Sequence, residues 1–477
     1  MRIIFGTLFT LITISLVAQN APGVLTVEKI MRDPKWIGTS PSNPTWSVDG
    51  SVLTFGWNPD KNQADSVYYI TKQQTSPQKM SFSETQTFLG ASSVQYNSTR
   101  TAYVYSKAGD IYYHDLKSKQ TKRITNTIEA EGSPVFSFNN SAIVYRSSQN
   151  LFAWFIATGE IQQLTNISSA SSRERPGRDN EQEEWLKRDQ LEHFEVLKER
   201  KEKRENTRAA REAWRSPVLR SIALDGQVLQ NLNISPDGRF VSYSLYKAPT
   251  GVKSTIVPDY VTESGFTTDI PARSKVGGTL GTYSFFMYDR VLDSVYSIKT
   301  DGIPGIKDLP DYYNDYPAAK EAKLKKNENR AVRYSGPNWS PTGKYTVLDI
   351  RSLDNKDRWL MSWDTSSQQL RLISRQRDDA WIGGPGMFGS WGWIGNDQFW
   401  YQSEETGYSH IYIFDFKTGT TKALTSGNYE VQSAQLSLDK KHFYIRSNEK
   451  HPGEQQFYRL RISDGHKEQI TSMTGSN

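Results

Sequence analysis

Along most of the chain, apolar and polar residues alternate in short runs. "FVSYS" (Phe240 to Ser244) is an example. This period of two is the signature of a half-buried strand. The runs come in pairs around polar turns, and two kinds of pair recur. The first opens with a motif close to P-x-W-S-x-D-G. Copies are "NPTWSVDGSVLTF" (Asn43 to Phe55), "SPVFSFNNSAIVY" (Ser133 to Tyr145), "LNISPDGRFVSYS" (Leu232 to Ser244) and "GPNWSPTGKYTVL" (Gly336 to Leu348). Asp-Gly and Asn-Asn turns suit these positions because they tolerate the backbone angles of tight hairpins. The second kind closes on Leu-Thr or Ile-Thr. Copies are "GDIYYHDLKSKQTKRIT" (Gly109 to Thr125), "QNLFAWFIATGEIQQLT" (Gln149 to Thr165), "SHIYIFDFKTGTTKALT" (Ser409 to Thr425) and "QQFYRLRISDGHKEQIT" (Gln455 to Thr471).

One pair of each kind makes a unit of four strands and roughly 40–50 residues, the period of a β-propeller blade. A β-sandwich of the same strands would not need one turn chemistry to recur so often. The pattern therefore predicts an all-β fold, a β-propeller of seven to eight four-stranded blades over residues 25–477. The last blade is expected to be incomplete, with unpaired edge strands. The period breaks twice. Residues 172–215 are helical in composition and densely charged, with Pro176 and Gly177 at the entry, and read as a solvated helical insertion. Residues 301–332 read as a loop insertion with a short helix.

Composition narrows the setting. Residues 1–18 carry Arg2, an apolar run from Ile3 to Val17 and a small residue, Ala18, which is the pattern of a signal peptide. The expectation is an exported protein, periplasmic or extracellular, with no membrane span after cleavage. There is no cysteine, so neither disulfides nor thiolate chemistry operate. The formal net charge of +6 is spread over loops and one charged helix rather than an aromatic-interleaved face, which argues against nucleic acid as a partner.

With these motifs in hand, the chain resembles the N-terminal propeller of dipeptidyl peptidase IV-type enzymes, in the prolyl oligopeptidase family of serine peptidases. The residues carrying the resemblance are Ser403, Glu404, Gly407, Tyr408, His410 and Thr425 in "SEETGYSHIYIFDFKTGTTKALT", together with "IPARSKVGGTLGTYSFFMYD" from Ile270 to Asp289. The resemblance implies eight blades and a following α/β-hydrolase domain with a Ser-Asp-His triad in a G-x-S-x-G elbow. "GTSPS" at Gly38, "GASSV" at Gly90 and "GSWGW" at Gly389 all lack that spacing, so no catalytic residue is assigned in this chain. The expected role is the non-catalytic, substrate-gating part of an exported peptidase of dipeptidyl or oligopeptidase type. Its partners would be peptide substrates and the hydrolase domain, with a homodimer as a further expected assembly. The other reading is a standalone propeller that binds a protein, peptide or glycan.

The resemblance also implies a pair of glutamates that holds the free amine of the substrate through charge-assisted contacts. The corresponding place here, after "QQLT", offers Glu183 and Glu184 in "EQEEWLKR", with Trp and Glu in the reverse of the family's order. His410 reads as a structural hydrogen-bonding residue at a turn. Asp349, Asp354 and Asp357 read as ordinary blade-turn carboxylates. "GGPGMFGSWGW" (Gly383 to Trp393) lacks a phosphate-binding pattern and reads as a loop over a blade edge. Histidine spacing gives no metal site, and no cofactor is expected.

Overall fold

A computed structural model describes residues 26–31, 39–48, 50–62, 64–89, 92–169, 181–213, 219–472 and 474–475. The expected signal peptide, 1–18, lies outside the described residues. The fold is an all-β propeller of seven four-stranded blades, at 39–79, 92–123, 131–163, 228–297, 332–377, 391–423 and 431–469. Each blade runs in chain order. Two compact units divide the chain, residues 1–92 and 93–477.

The first unit holds blade 1, with strands Thr39–Trp46, Val52–Asn58, Ser66–Thr71 and Gln78–Lys79, and the helices Val27–Ile30 and Phe82–Leu89. The second holds blades 2 to 7 apart from Ser92. Within it, alternation places successive residues of a strand on opposite faces, and each face packs into its own apolar cluster. In blade 3, Ile143 and Tyr145 join Val104 and Ile111 of blade 2, whereas Ala142 and Val144 join Val241 and Tyr243 of blade 4. In blade 5, Leu348, Ile350 and Trp359 join Phe285 and Met287 of blade 4, whereas Val347 and Leu360 join Phe399 and Tyr401 of blade 6. Trp400 and Ile411 on the other face of blade 6 meet Phe443 and Ile445 of blade 7. The core of this unit is thus a series of seams between consecutive blades, and no strand between two neighbours can slip register without exposing both faces.

The two recurring motifs each perform a definite task. In three of the four copies of the first, and in the related "SLDKKH" of blade 7, the serine hydroxyl accepts the N–H five residues on. The bonds run from Val52 to Ser47, Phe240 to Ser235, Tyr345 to Ser340 and His442 to Ser437, at 2.9–3.0 Å. Gly238, with φ +78°, supplies the left-handed turn in one of them. In the second motif, the threonine after the fourth strand accepts an N–H near the start of the third strand, its second in blades 2, 3 and 6 and its fourth in blade 7. Ile111, Leu151, Ile411 and Phe457 donate to Thr125, Thr165, Thr425 and Thr471 at 2.9–3.0 Å. The same hydroxyl meets the side chain at the preceding position: Asp110, Asn150, His410 or Gln456. The Leu-Thr and Ile-Thr dipeptides are therefore clasps that extend the outer ladder past the end of the strand.

The expectation of an incomplete last blade is corrected. Blade 7 has four strands, Val431–Leu436, His442–His451, Glu454–Arg461 and Lys467–Gln469, each hydrogen-bonded to the next. The "KEQIT" segment supplies its fourth strand and the same threonine clasp as in blades 2, 3 and 6. Among the described residues seven blades are present, within the expected seven to eight.

Both insertions sit where the pattern breaks. A parallel pair, Asn166–Ser168 with Ser221–Ala223, marks the base of the first. Beyond it run the helices Glu181–His193 and Glu195–Ala213, almost wholly exposed. The second contains a 3-10 turn, Asp311–Asp315, and a helix, Pro317–Lys326, with proline at its first position and Asn327 closing it at φ 50°. An antiparallel hairpin, Ser254–Asp259 with Thr268–Ser274, interrupts blade 4 between its second and third strands. Among the described residues, no helix is long and apolar enough to cross a membrane.

Candidate functional site

Ion pairs concentrate in blade 5. The second and third strands of blade 5, Thr346–Ser352 and Asp357–Trp363, are buried throughout, so any charge in them must be paired. Asp349 accepts Arg351 through both oxygens, at 3.0 and 2.7 Å, and Arg358 at 3.1 Å. The guanidinium groups then reach outward. Arg351 donates to the Met387 carbonyl, and Arg358 to those of Gly386 and Gln402 at 3.4 and 3.1 Å. Burial pulls the Arg358 guanidinium below its ordinary pKa. Asp357, fully buried, accepts three arginines: Arg330 at 2.6 Å, Arg375 at 2.8 Å and Arg377 at 3.0 Å.

Reading Asp349, Asp354 and Asp357 as turn carboxylates therefore needs correction. Only Asp354 lies in a turn, where it pairs with Arg330 at 3.2 Å. The other two are strand residues that neutralise buried guanidinium groups.

The glycine-rich segment is a loop between blades 5 and 6 as far as Ser390, with Trp391–Trp393 forming the first strand of blade 6, and the loop is held mainly through its carbonyls. Besides Arg351 and Arg358, Lys356 donates to the carbonyls of Asp379 and Ala380, and Ser409 to that of Pro385 at 3.2 Å. A Cβ at Gly384, where φ is +78°, would collide with the carboxylate of Glu404. Glycine is thus required for the loop to close over this side chain.

Glu404 follows the second strand of blade 6, Gln398–Ser403. Gln376 donates to its carboxylate at 3.4 Å and accepts from its N–H at 3.3 Å. Burial, then Glu430 and Asp378, pushes its pKa from 4.5 up to about 7. Glu430 accepts the Ser409 N–H at 2.7 Å, and Glu405 accepts the Ser374 hydroxyl at 2.6 Å. The result is a half-buried carboxylate that titrates near neutrality beside two further acids. Such a group can take up a proton or answer to a nearby positive charge. The motif "SEETG" carried the signal for it, but only the fold places Glu430 and Asp378 alongside.

His410 has the structural role expected of it. It is buried, with Nδ1 3.1 Å from the Thr425 hydroxyl and Nε2 3.0 Å from the Gly427 carbonyl oxygen. Glu183 and Glu184 lie in the first turn of the helix Glu181–His193, and both are exposed. As consecutive helical residues they diverge by about 100° around the axis.

The architecture and this charged junction define the class, a seven-bladed propeller with a buried ionic network under one inter-blade loop. The family profile described as the dipeptidyl peptidase IV (DPP IV) N-terminal region matches residues 229–477, and the chain belongs to that family. Two solved structures are similar to it. A Porphyromonas gingivalis dipeptidyl peptidase 4 is 14% identical with a TM-score of 0.48, the match covering 91% of this chain and 54% of the other. A Bacteroides ovatus protein assigned as a dipeptidyl aminopeptidase IV is 11% identical with a TM-score of 0.46, covering 90% and 53%. The chain thus spans about half the length of these structures. No curated protein matches the sequence.

Proposed function

We propose that this chain is the non-catalytic, substrate-gating propeller of an exported serine peptidase of dipeptidyl or oligopeptidase type. The hydrolase domain would be carried elsewhere in the polypeptide. The observation that supports this most is the family match over residues 229–477 in a chain folded as seven blades. In this reading the propeller admits short peptides and keeps folded proteins from the nucleophile. Glu183 and Glu184 anchor the substrate's amine, supported by their place after the fourth strand of blade 3, Ile161–Gln163. The pattern of residues 1–18 supports export.

The test compares substrates of different size on the whole protein. A chromogenic X-Pro or X-Ala dipeptide should be hydrolysed, while a stably folded protein with an accessible N-terminus should not. Comparable turnover of both would remove the gating role.

A further inference from the structure

The insertion at 301–332 has no part in the reading above, yet it encloses a cavity of about 560 Å3. That volume falls in the range of small-molecule sites. Leu309 and Leu324 come from the insertion, and Leu280 from the segment returning to blade 4. Tyr312 and Tyr313 form the aromatic part of the wall, their rings stacked at 4.5 Å between centroids. Tyr312 remains 53% exposed and Leu280 59%, so apolar surface is presented to whatever enters.

The charges on the lining are unbalanced. Asp354 is already engaged by Arg330 at 3.2 Å, and Arg330 is held by Asp357 as well. Lys307 and Lys323 also line the cavity, and among the described residues neither has a carboxylate partner. Glu328 is the remaining acid on the lining. Two unpaired ammonium groups beside leucine and tyrosine surface call for a ligand with an apolar body and one negative charge.

We infer that this cavity binds an apolar carboxylate, through Lys307 and Lys323 on its charge and Leu280, Leu309, Leu324 and Tyr312 on its body. The C-terminal residue of a peptide and a simple aromatic acid both have this chemistry. The inference stands apart from the peptidase reading and survives its failure.

Calorimetric titration of the purified protein tests it, using N-acetyl-phenylalanine, its methyl ester and 3-phenylpropanoate. At least one acid should bind saturably, and the ester at least about fivefold more weakly than its acid, as expected for losing one partly solvated charge contact. Lys307→Gln and Lys323→Gln should each weaken acid binding by a similar factor, and Tyr312→Ala should weaken both acids. Lys326→Gln, on the same helix but outside the lining, should leave binding unchanged. Tighter binding of the acetylated amino acid assigns a peptide terminus, and tighter binding of phenylpropanoate assigns a simple acid. No saturable binding of either acid, an ester as tight as its acid, or lysine variants that match the parent would each overturn the inference.

Discussion

Arg351 and Arg358 stand directly opposite each other on adjacent central strands of blade 5, and the single carboxylate of Asp349 accepts from both. Like charges facing across a ladder are destabilising, and these side chains are only 6% and 2% exposed. Asp349 makes the pair tolerable. The guanidinium groups then have donors left for the carbonyls of the glycine-rich loop. A repulsive pair thereby becomes the fastening between blade 5 and the loop into blade 6.

Removing that carboxylate should be costly. Asp349→Asn leaves two buried cations uncompensated, and about 3–5 kcal/mol of stability should be lost. Asp354→Asn removes one partly exposed partner of Arg330, which keeps Asp357, and should cost under about 1 kcal/mol. Urea unfolding monitored by tryptophan fluorescence would separate the two. Equal midpoints would refute the assignment of Asp349 as the neutralising group.

The threonine clasps give a second test. Thr425→Val keeps the shape but takes the acceptor from the Ile411 N–H and the partner from His410 Nδ1. A loss of about 1–3 kcal/mol is expected for a buried donor left unsatisfied. Thr420→Val, on the exposed outer strand Thr420–Ala423, should stay within about 0.5 kcal/mol of the parent. Thermal unfolding of the two variants side by side measures the difference.

Glu404 predicts a dependence on pH. Its folded pKa is raised from 4.5 to about 7, so the folded state binds the proton more tightly than the unfolded chain does. Stability from this group is intact below about 4.5 and declines as pH rises towards 7. Glu404→Gln removes the titration. At pH 8 the variant should unfold at a higher temperature than the parent, by the equivalent of about 1 kcal/mol after allowance for the group's partial exposure. At pH 4 the two should coincide. A constant difference across pH would contradict the assignment.

The sequence showed the blades but not the junction between them. Alternating strands and the Ser-x-Asp-Gly and Leu-Thr motifs were legible because each is a local device. A serine caps its own turn, and a threonine closes its own hairpin. The last blade, expected to be incomplete, is shown to be complete only by the pairing of Lys467–Gln469 with Glu454–Arg461. The ionic network was not legible. Asp349 and Arg358 lie nine positions apart, whereas Asp357 reaches back to Arg330 and forward to Arg377. Nothing in spacing alone indicates which carboxylates would be buried. Glu404 stood in a recognised motif, yet its shifted titration comes first from burial and then from Glu430 and Asp378, which the fold brings alongside.

The proposed amine anchor yields a kinetic prediction. In the whole peptidase, Glu183→Gln combined with Glu184→Gln should raise KM for dipeptide substrates at least about tenfold with kcat little changed, the pattern for lost uniform binding. An unchanged KM would take the pair out of that role.

In the proposed peptidase the catalytic nucleophile lies outside these 477 residues. Labelling the whole protein with a fluorophosphonate and mapping the modified serine by peptide mass spectrometry tests this directly. The expected result is a single labelled serine outside residues 1–477, with loss of dipeptide hydrolysis on labelling. A modified serine within residues 1–477, or hydrolysis that persists without any labelling, would contradict it.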